Sequence, residues 1–321
     1  MTVPDSVVSA AWLADRQREA AENGEAGPVV LDATALLPSP EFDGDYRLES
    51  GRARWSAAHI PGSRHVDLVG EFSDHSAPRH FTHLDPTALT EAVRRVGVVE
   101  GRDVVLYDDG GGIWAARLWW SLRAIGMPAA VLDGGLAAWQ SAGSPIESGD
   151  EVAGADTVDS AHSSASSTSP HPRQLPVQPP HPLTLQPPLP QAWADIDEVA
   201  AISEGRAPGT LVCALGREQF DGSAPTRYSR RGHIPGSLNL PARSLVTPST
   251  GLLATDAQLR ESVRPLLDVP GPVVVYCGGG ISAALLALGL VRAGREDVRI
   301  YDGSLEEWTA DRERPVFASG S

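Results

Sequence analysis

Short runs dominated by apolar side chains recur along this 321-residue chain, separated by stretches with an apolar position every three or four residues. The runs at 29–32, 104–107 and 129–132 fall in the first half, and those at 210–212, 273–276 and 298–301 in the second. Continuous apolar runs of this length are expected of strands buried on both faces of a parallel sheet. Residues 87–96, 113–125, 256–267 and 282–293 have the spacing of helices. Asp85 stands where an N-cap is needed, with Pro86 in the first turn. Ser9 caps an N-terminal helix that runs through Trp12 and Leu13 to about residue 21. Strands alternating with helices predict an α/β fold, with a mainly parallel sheet flanked by helices.

The two halves repeat one another. Val104-Val105-Leu106-Tyr107-Asp108 matches Val273-Val274-Val275-Tyr276-Cys277, and Asp133-Gly134-Gly135-Leu136 with Trp139 matches Asp302-Gly303-Ser304-Leu305 with Trp308. These pairs are 169 residues apart, whereas His59-Ile60-Pro61-Gly62-Ser63 and His233-Ile234-Pro235-Gly236-Ser237 are 174 apart. One change of loop length accounts for the difference. Three matches in one order predict two tandem copies of a domain. They occupy 1–150 and 191–321, joined by a Ser/Pro-rich linker over 151–190 that holds nine of the 27 prolines. The linker lacks apolar periodicity and is expected to be flexible at first, then stiffer and polyproline-like from 170 to 190. Its histidines, His162, His171 and His181, are irregularly spaced and read as solvated side chains rather than metal ligands.

Composition narrows the function. Lys and Arg total 26 against 41 Asp and Glu, a formal charge of −15. That balance argues against nucleic acid and anionic membrane as partners but leaves room for a small anion in a local positive pocket. The two cysteines, Cys213 and Cys277, exclude a disulfide framework and a multi-cysteine zinc site, and nothing calls for a metal or other cofactor. Residues 1–10 show no secretory leader, and no apolar run is long enough to span a membrane, so a soluble protein of a reducing, cytoplasmic compartment is expected.

The chemistry concentrates at one loop. The run ending at Tyr276 is followed by Cys277-Gly278-Gly279-Gly280-Ile281-Ser282 and then by an apolar helix. Ligands of parallel α/β sheets bind beyond the carboxyl ends of the strands. Three glycines let the main chain curl around the sulfur with its N–H groups inward, and the helix N-terminus adds a favourable dipole. Both favour a thiolate, a persulfide anion or a bound oxyanion over an uncharged thiol. The competing reading is a plain glycine turn beside an inert buried Cys. A phosphate-binding P-loop lacks its Lys, and a Cys-based phosphatase would need Arg where Ala283 stands.

The duplication, the His-Ile-Pro-Gly turns, the Asp-Gly-Gly-Leu…Trp signatures and the Cys loop together resemble the two-domain rhodanese superfamily. Cys277 to Ala283 is similar to the Cys-Gly-Ser-Gly-Val-Thr-Ala loop of 3-mercaptopyruvate sulfurtransferases. It is less like the thiosulfate loop, where basic residues follow the Cys. The resemblance implies two rhodanese-like domains and a ping-pong sulfur transfer. Cys277 would take sulfur from a small anionic donor, becoming a persulfide cradled by Gly278, Gly279, Gly280, Ile281 and Ser282. A thiol acceptor, thioredoxin or a small thiol, or else cyanide would then remove it. Asp108 fills the matching place in the first domain, which is expected to be catalytically silent because a carboxylate cannot carry a persulfide.

The second domain departs from the family pattern at its opening, where Cys213-Ala214-Leu215 replaces Asp-Ala-Arg and Gln219 replaces the donor-binding Arg. Arg227 matches the second family Arg, and Arg217 is a substitute for the first. A solvated basic loop is the alternative for both. His80, beside Arg79, falls on a loop that faces the cleft in the family and is expected to serve function, whereas His59 and His233 read as structural turn residues. Cys213 reads as a small buried apolar residue. Two functions follow: a sulfurtransferase using Cys277, or a rhodanese-like module that carries sulfur without rapid turnover.

Overall fold

The computed structural model describes residues 6–149, 183 and 185–318. In the first half the elements run β1 (Val7–Val8), α1 (Ala10–Asn23), β2 (Val29–Asp32), β3 (Ala35–Leu36), β4 (Glu49–Ser50), α2 (Arg52–Ala57), β5 (Arg64–His65), α3 (Pro86–Arg95), β6 (Val104–Tyr107), α4 (Ile113–Ala124), β7 (Ala130–Leu132) and α5 (Gly135–Ser141). The second half runs β8 (Trp193–Ala194), α6 (Ile196–Ser203), β9 (Thr210–Cys213), α7 (Arg217–Phe220), β10 (Leu238–Asn239), α8 (Asp256–Leu267), β11 (Val273–Tyr276), α9 (Ile281–Arg292), β12 (Val298–Tyr301) and α10 (Ser304–Ala310).

Each half builds a five-stranded, all-parallel sheet. The orders are β5-β2-β6-β7-β1 and β10-β9-β11-β12-β8, the same topology twice. The long apolar runs become the inner strands, as their patterning predicts. The edge strands β1, β5, β8 and β10 hold two residues each and leave no readable period. Ser9 accepts from Trp12 N–H and Asp85 from Thr87 and Ala88, so both expected N-caps are made.

Because successive strand residues face opposite ways, each sheet feeds two cores. Val29, Leu31, Val104 and Leu106 join Val273 and Val275 in one large apolar body shared by both halves. Val30, Val105 and Tyr107 turn outward under α1, and Val274 and Tyr276 do the same in the second half. The shared body is closed by α4 packing against α9.

The repeated motifs do matching structural work. Tyr107 Oη accepts from Ile60 N–H at 3.3 Å and bonds Ser63 Oγ at 2.9 Å, and Tyr276 Oη repeats this with Ile234 N–H at 3.1 Å and Ser237 Oγ at 2.8 Å. The indoles of Trp139 and Trp308 donate to the carbonyls of Pro145 and Pro315. His59 and His233 are turn residues, each ring bonded to a carbonyl, Trp55 O at 2.8 Å and Phe220 O at 2.7 Å.

Most of the segment read as a linker, with its three histidines, lies outside the described residues. Its closing stretch, expected to be stiff and polyproline-like, is tied to the first half. Gln186 N–H donates to Gly126 O at 2.8 Å, Leu189 N–H to Ala124 O, and the Leu189 side chain packs on the shared core. Among the described residues no helix is long and apolar enough to cross a membrane.

Candidate active site

The strand β11 ends at Tyr276 and α9 begins at Ile281, so Cys277 and three glycines make the whole turn. Gly280 has φ 77°, the left-handed conformation that glycine adopts without strain. Cys277 is only 2% exposed, yet it lines a cleft of ≈ 1020 Å³ between the two halves. It therefore forms the floor of the cleft rather than its wall.

The loop is fastened to the start of α10. Ser304 Oγ accepts from Cys277 N–H and from Gly280 N–H, both at 3.1 Å, and donates to Tyr301 O at 2.8 Å. Leu305 N–H donates to Cys277 O and Glu306 N–H to Gly278 O. Ser304 achieves this from φ 49°, a strained conformation for a residue with a Cβ. The amides of Gly278, Gly279, Ile281 and Ser282, in the turn and first residues of α9 that follow Cys277, donate to no protein acceptor among the described residues.

The first half shows what such a turn can hold. Asp108 follows Tyr107 as Cys277 follows Tyr276. Its buried carboxylate accepts from the amides of Gly110, Gly112, Trp114 and Ala115 at 2.7–2.9 Å. This turn is one residue longer than its counterpart, but it delivers main-chain N–H groups to a side-chain carboxyl at the same strand end, whose pKa burial raises against the lowering effect of those four amides.

The residues singled out in the sequence do not all meet. Cys277, Gly278, Gly279, Ile281, Ser282, Arg217 and Arg227 line the cleft. Gly280 does not line it, because its N–H is taken by Ser304. Arg227 reaches across to the first half, where its guanidinium donates to Leu37 O and Pro38 O while its buried Nε stays without a partner. Gln219, where a donor-binding Arg was expected, caps α7 by accepting from Gly216 N–H. His80 departs from the expected cleft-facing role. Its ring stacks on Tyr46 with centroids 4.0 Å apart, and its Nδ1 meets Glu306 Oε1 at 2.6 Å. Arg79 pairs with Glu307 at 2.6 Å. Cys213 is wholly buried, and burial pushes its thiol up to about 12, so it is inert packing as its strand setting suggests.

Sequence reasoning missed Tyr46, Tyr228, Arg243 and Ser304. Tyr46 and Tyr228 line the cleft from loops and Arg243 from a single 3₁₀ turn, and no local pattern reveals their reach. Ser304 falls in the Asp-Gly-Ser-Leu signature, which marked the repeat but not the contact. Arg54 also lines the cleft but is paired with Asp109 at 2.6 Å. Arg217 and Arg243 are exposed and make no ion pair among the described residues, which leaves them open to an anion.

Comparison with known proteins agrees with this architecture. The rhodanese-like domain family matches residues 10–142 and 214–311. The putative thiosulfate sulfurtransferase SseB of Mycobacterium tuberculosis is 32% identical over 302 residues, covering 90% of this chain and 97% of that protein. The 3-mercaptopyruvate sulfurtransferase of Homo sapiens is 32% identical over 319 residues, covering 94% and 91%. The crystal structure of SseA from Escherichia coli, described with the fold and mechanism of 3-mercaptopyruvate sulfotransferases, superposes with a TM-score of 0.69. It has 27% identity and covers 94% of this chain and 98% of that one. With the sheet built twice in one order, a cysteine at the carboxyl end of the second and family matches in both halves, the chain belongs to the rhodanese family, as one of its two-domain sulfurtransferases.

Proposed function

We propose that Cys277 takes sulfur from a small anionic donor, 3-mercaptopyruvate in preference to thiosulfate, and passes it to a thiol such as thioredoxin or a small thiol, or to cyanide. The Cys277 thiolate attacks the donor's terminal sulfur and a new S–S bond forms. The bond from that sulfur to carbon breaks, and its electron pair leaves as the enolate of pyruvate, which takes up a proton. With thiosulfate the broken bond is S–S and the leaving group is sulfite. An acceptor thiolate then attacks the outer sulfur and returns Cys277 to the thiolate.

The observation that carries this reading is the position of Cys277 at the floor of an arginine-lined cleft, in a turn whose sister holds a carboxylate. Uncommitted amides beside the sulfur fit a persulfide anion. The absence of basic side chains from 278 to 283 fits the uncharged methylene of mercaptopyruvate better than the sulfonate of thiosulfate. Arg227, Arg217 and Arg243 are the groups placed to hold the donor carboxylate. His80, held by Glu306, acts from behind the loop rather than on the donor. The two unbridged cysteines fit a reducing, cytoplasmic setting.

One observation favours the slower, sulfur-carrying module: Gln219 spends its side chain on a helix cap and grips no donor. The two readings separate when the protein is mixed with 3-mercaptopyruvate and a thiol while pyruvate and sulfide are followed. Catalytic turnover lost in Cys277→Ser supports the enzyme. A stoichiometric burst with no further turnover supports the carrier, and no sulfur on Cys277 with either donor overturns both.

A further inference from the structure

Cys277 N–H and Gly280 N–H are taken by Ser304, while the amides of Gly278 and Gly279 have no acceptor among the described residues. Tyr228 lies over this stretch. Its hydroxyl lies so close over Gly278 that a Cβ there would fall inside it, and the ring lines the cleft beside Cys277. The hydroxyl has no hydrogen-bond partner among the described residues, although the ring is packed against the second-half core. An uncharged hydroxyl held against the reactive loop with its donor unused is a group set for a ligand. Burial first, then the proximity of Cys277 and Tyr46, raises the Tyr228 phenol well above its usual range, so it keeps its proton at any working pH. Tyr46, likewise raised by burial and by Glu306, stands on the same side, and Arg227 and Glu306 are the charged groups whose fields reach both rings.

We propose that Tyr228 is a further catalytic residue, whose phenol donates a hydrogen bond to the anionic sulfur carried by Cys277. No proton is transferred and no bond to Tyr228 forms or breaks. The phenol stabilises the Cys277 thiolate before the donor arrives and the outer persulfide sulfur afterwards. The same contact leaves no room for a side chain at position 278 while the phenol keeps its place. The role rests on Cys277 being the sulfur carrier, and the test keeps the two claims apart.

The decisive variant is Tyr228→Phe, which keeps the packed ring and removes only the hydroxyl. Two measurements are made on the full chain. The first is the pH profile of Cys277 alkylation by iodoacetamide, read by peptide mass, which needs no sulfur donor. The midpoint is expected to move to higher pH in the variant, by about one unit for the loss of one charge-assisted hydrogen bond. The second is the lifetime of the persulfide after one equivalent of 3-mercaptopyruvate, read by intact mass, which is expected to shorten by about tenfold in the variant. An alkylation profile that coincides with wild type overturns the role of Tyr228, whatever the persulfide does. A shifted profile in a protein that never accumulates persulfide upholds the contact with the thiolate and instead overturns the sulfur-transfer reading.

Discussion

Asp108 and Cys277 occupy one position in two copies of the same turn, the first residue beyond the tyrosine that ends the central strand. In one copy the cradle is permanently filled by a carboxylate with four amide donors. In the other it holds a sulfur and keeps several amides in reserve. The fold thus contains its own control: the same turn presents main-chain N–H groups to a carboxyl in one copy and stands beside a sulfur in the other.

The Asp108 carboxyl should matter for stability rather than for turnover. Asp108→Asn replaces an acceptor-only group with one that turns an N–H₂ toward buried amides, at an expected cost of about 2–3 kcal/mol in urea unfolding. The kcat of the remaining folded protein is expected to stay within twofold of wild type. A large fall in kcat with unchanged stability would contradict a silent first domain.

The cysteines should part company in any assay. Cys277→Ser is expected to abolish sulfur transfer, and Cys213→Ser to preserve it, because the Cys213 thiol is sealed in the strand core and raised to about 12 by that burial. In the native protein iodoacetamide should label one cysteine at neutral pH, and both only after denaturation.

Ser304 offers a way to detach the loop without touching it. Its hydroxyl accepts two loop amides from a backbone at φ 49°. Ser304→Gly removes the hydroxyl and relieves the backbone, so activity is expected to fall about tenfold with little loss of stability. Ser304→Ala removes the hydroxyl and keeps the strain, so activity and melting temperature should both fall. Equal activity in the two variants, close to wild type, would show that the clamp is dispensable.

The arginines can be ranked by donor KM. Arg227→Ala should raise it most, since its charge acts on both Tyr46 and Tyr228, which share the cleft with Cys277. Arg217→Ala and Arg243→Ala, on exposed side chains without ion pairs, should raise KM with negligible change in unfolding midpoint. An unchanged KM in all three would remove the carboxylate-binding role from this face of the cleft.

Much of the architecture was legible because it is written in local pattern. The runs at 104–107 and 273–276 became strands with those same limits, and Asp85 and Ser9 capped the helices they precede. The place of the Cys277 turn could be read too, since the strand ends at Tyr276 and the helix begins at Ile281, as the sequence pattern has it. What escaped was everything that depends on one half reaching the other. His80 looked like a cleft residue, yet its ring is captured by Tyr46 and Glu306, the latter 226 positions away in sequence. Gln219 looked like a lost arginine, and only the fold shows that it took up a cap. Tyr228 carried no signal at all, because its importance lies in what stands beneath it.

The crossing between halves has a last consequence. Arg79 and His80 grip Glu307 and Glu306, while Asp302 is held by Arg117 and by the His83 amide. All three acidic residues flank Ser304, the peg from which the reactive turn hangs. A gene encoding only the second copy would inherit Cys277 without the scaffolding that shapes its turn. Duplication usually leaves a spare; here the spare has become the jig, and redundancy has turned into obligation.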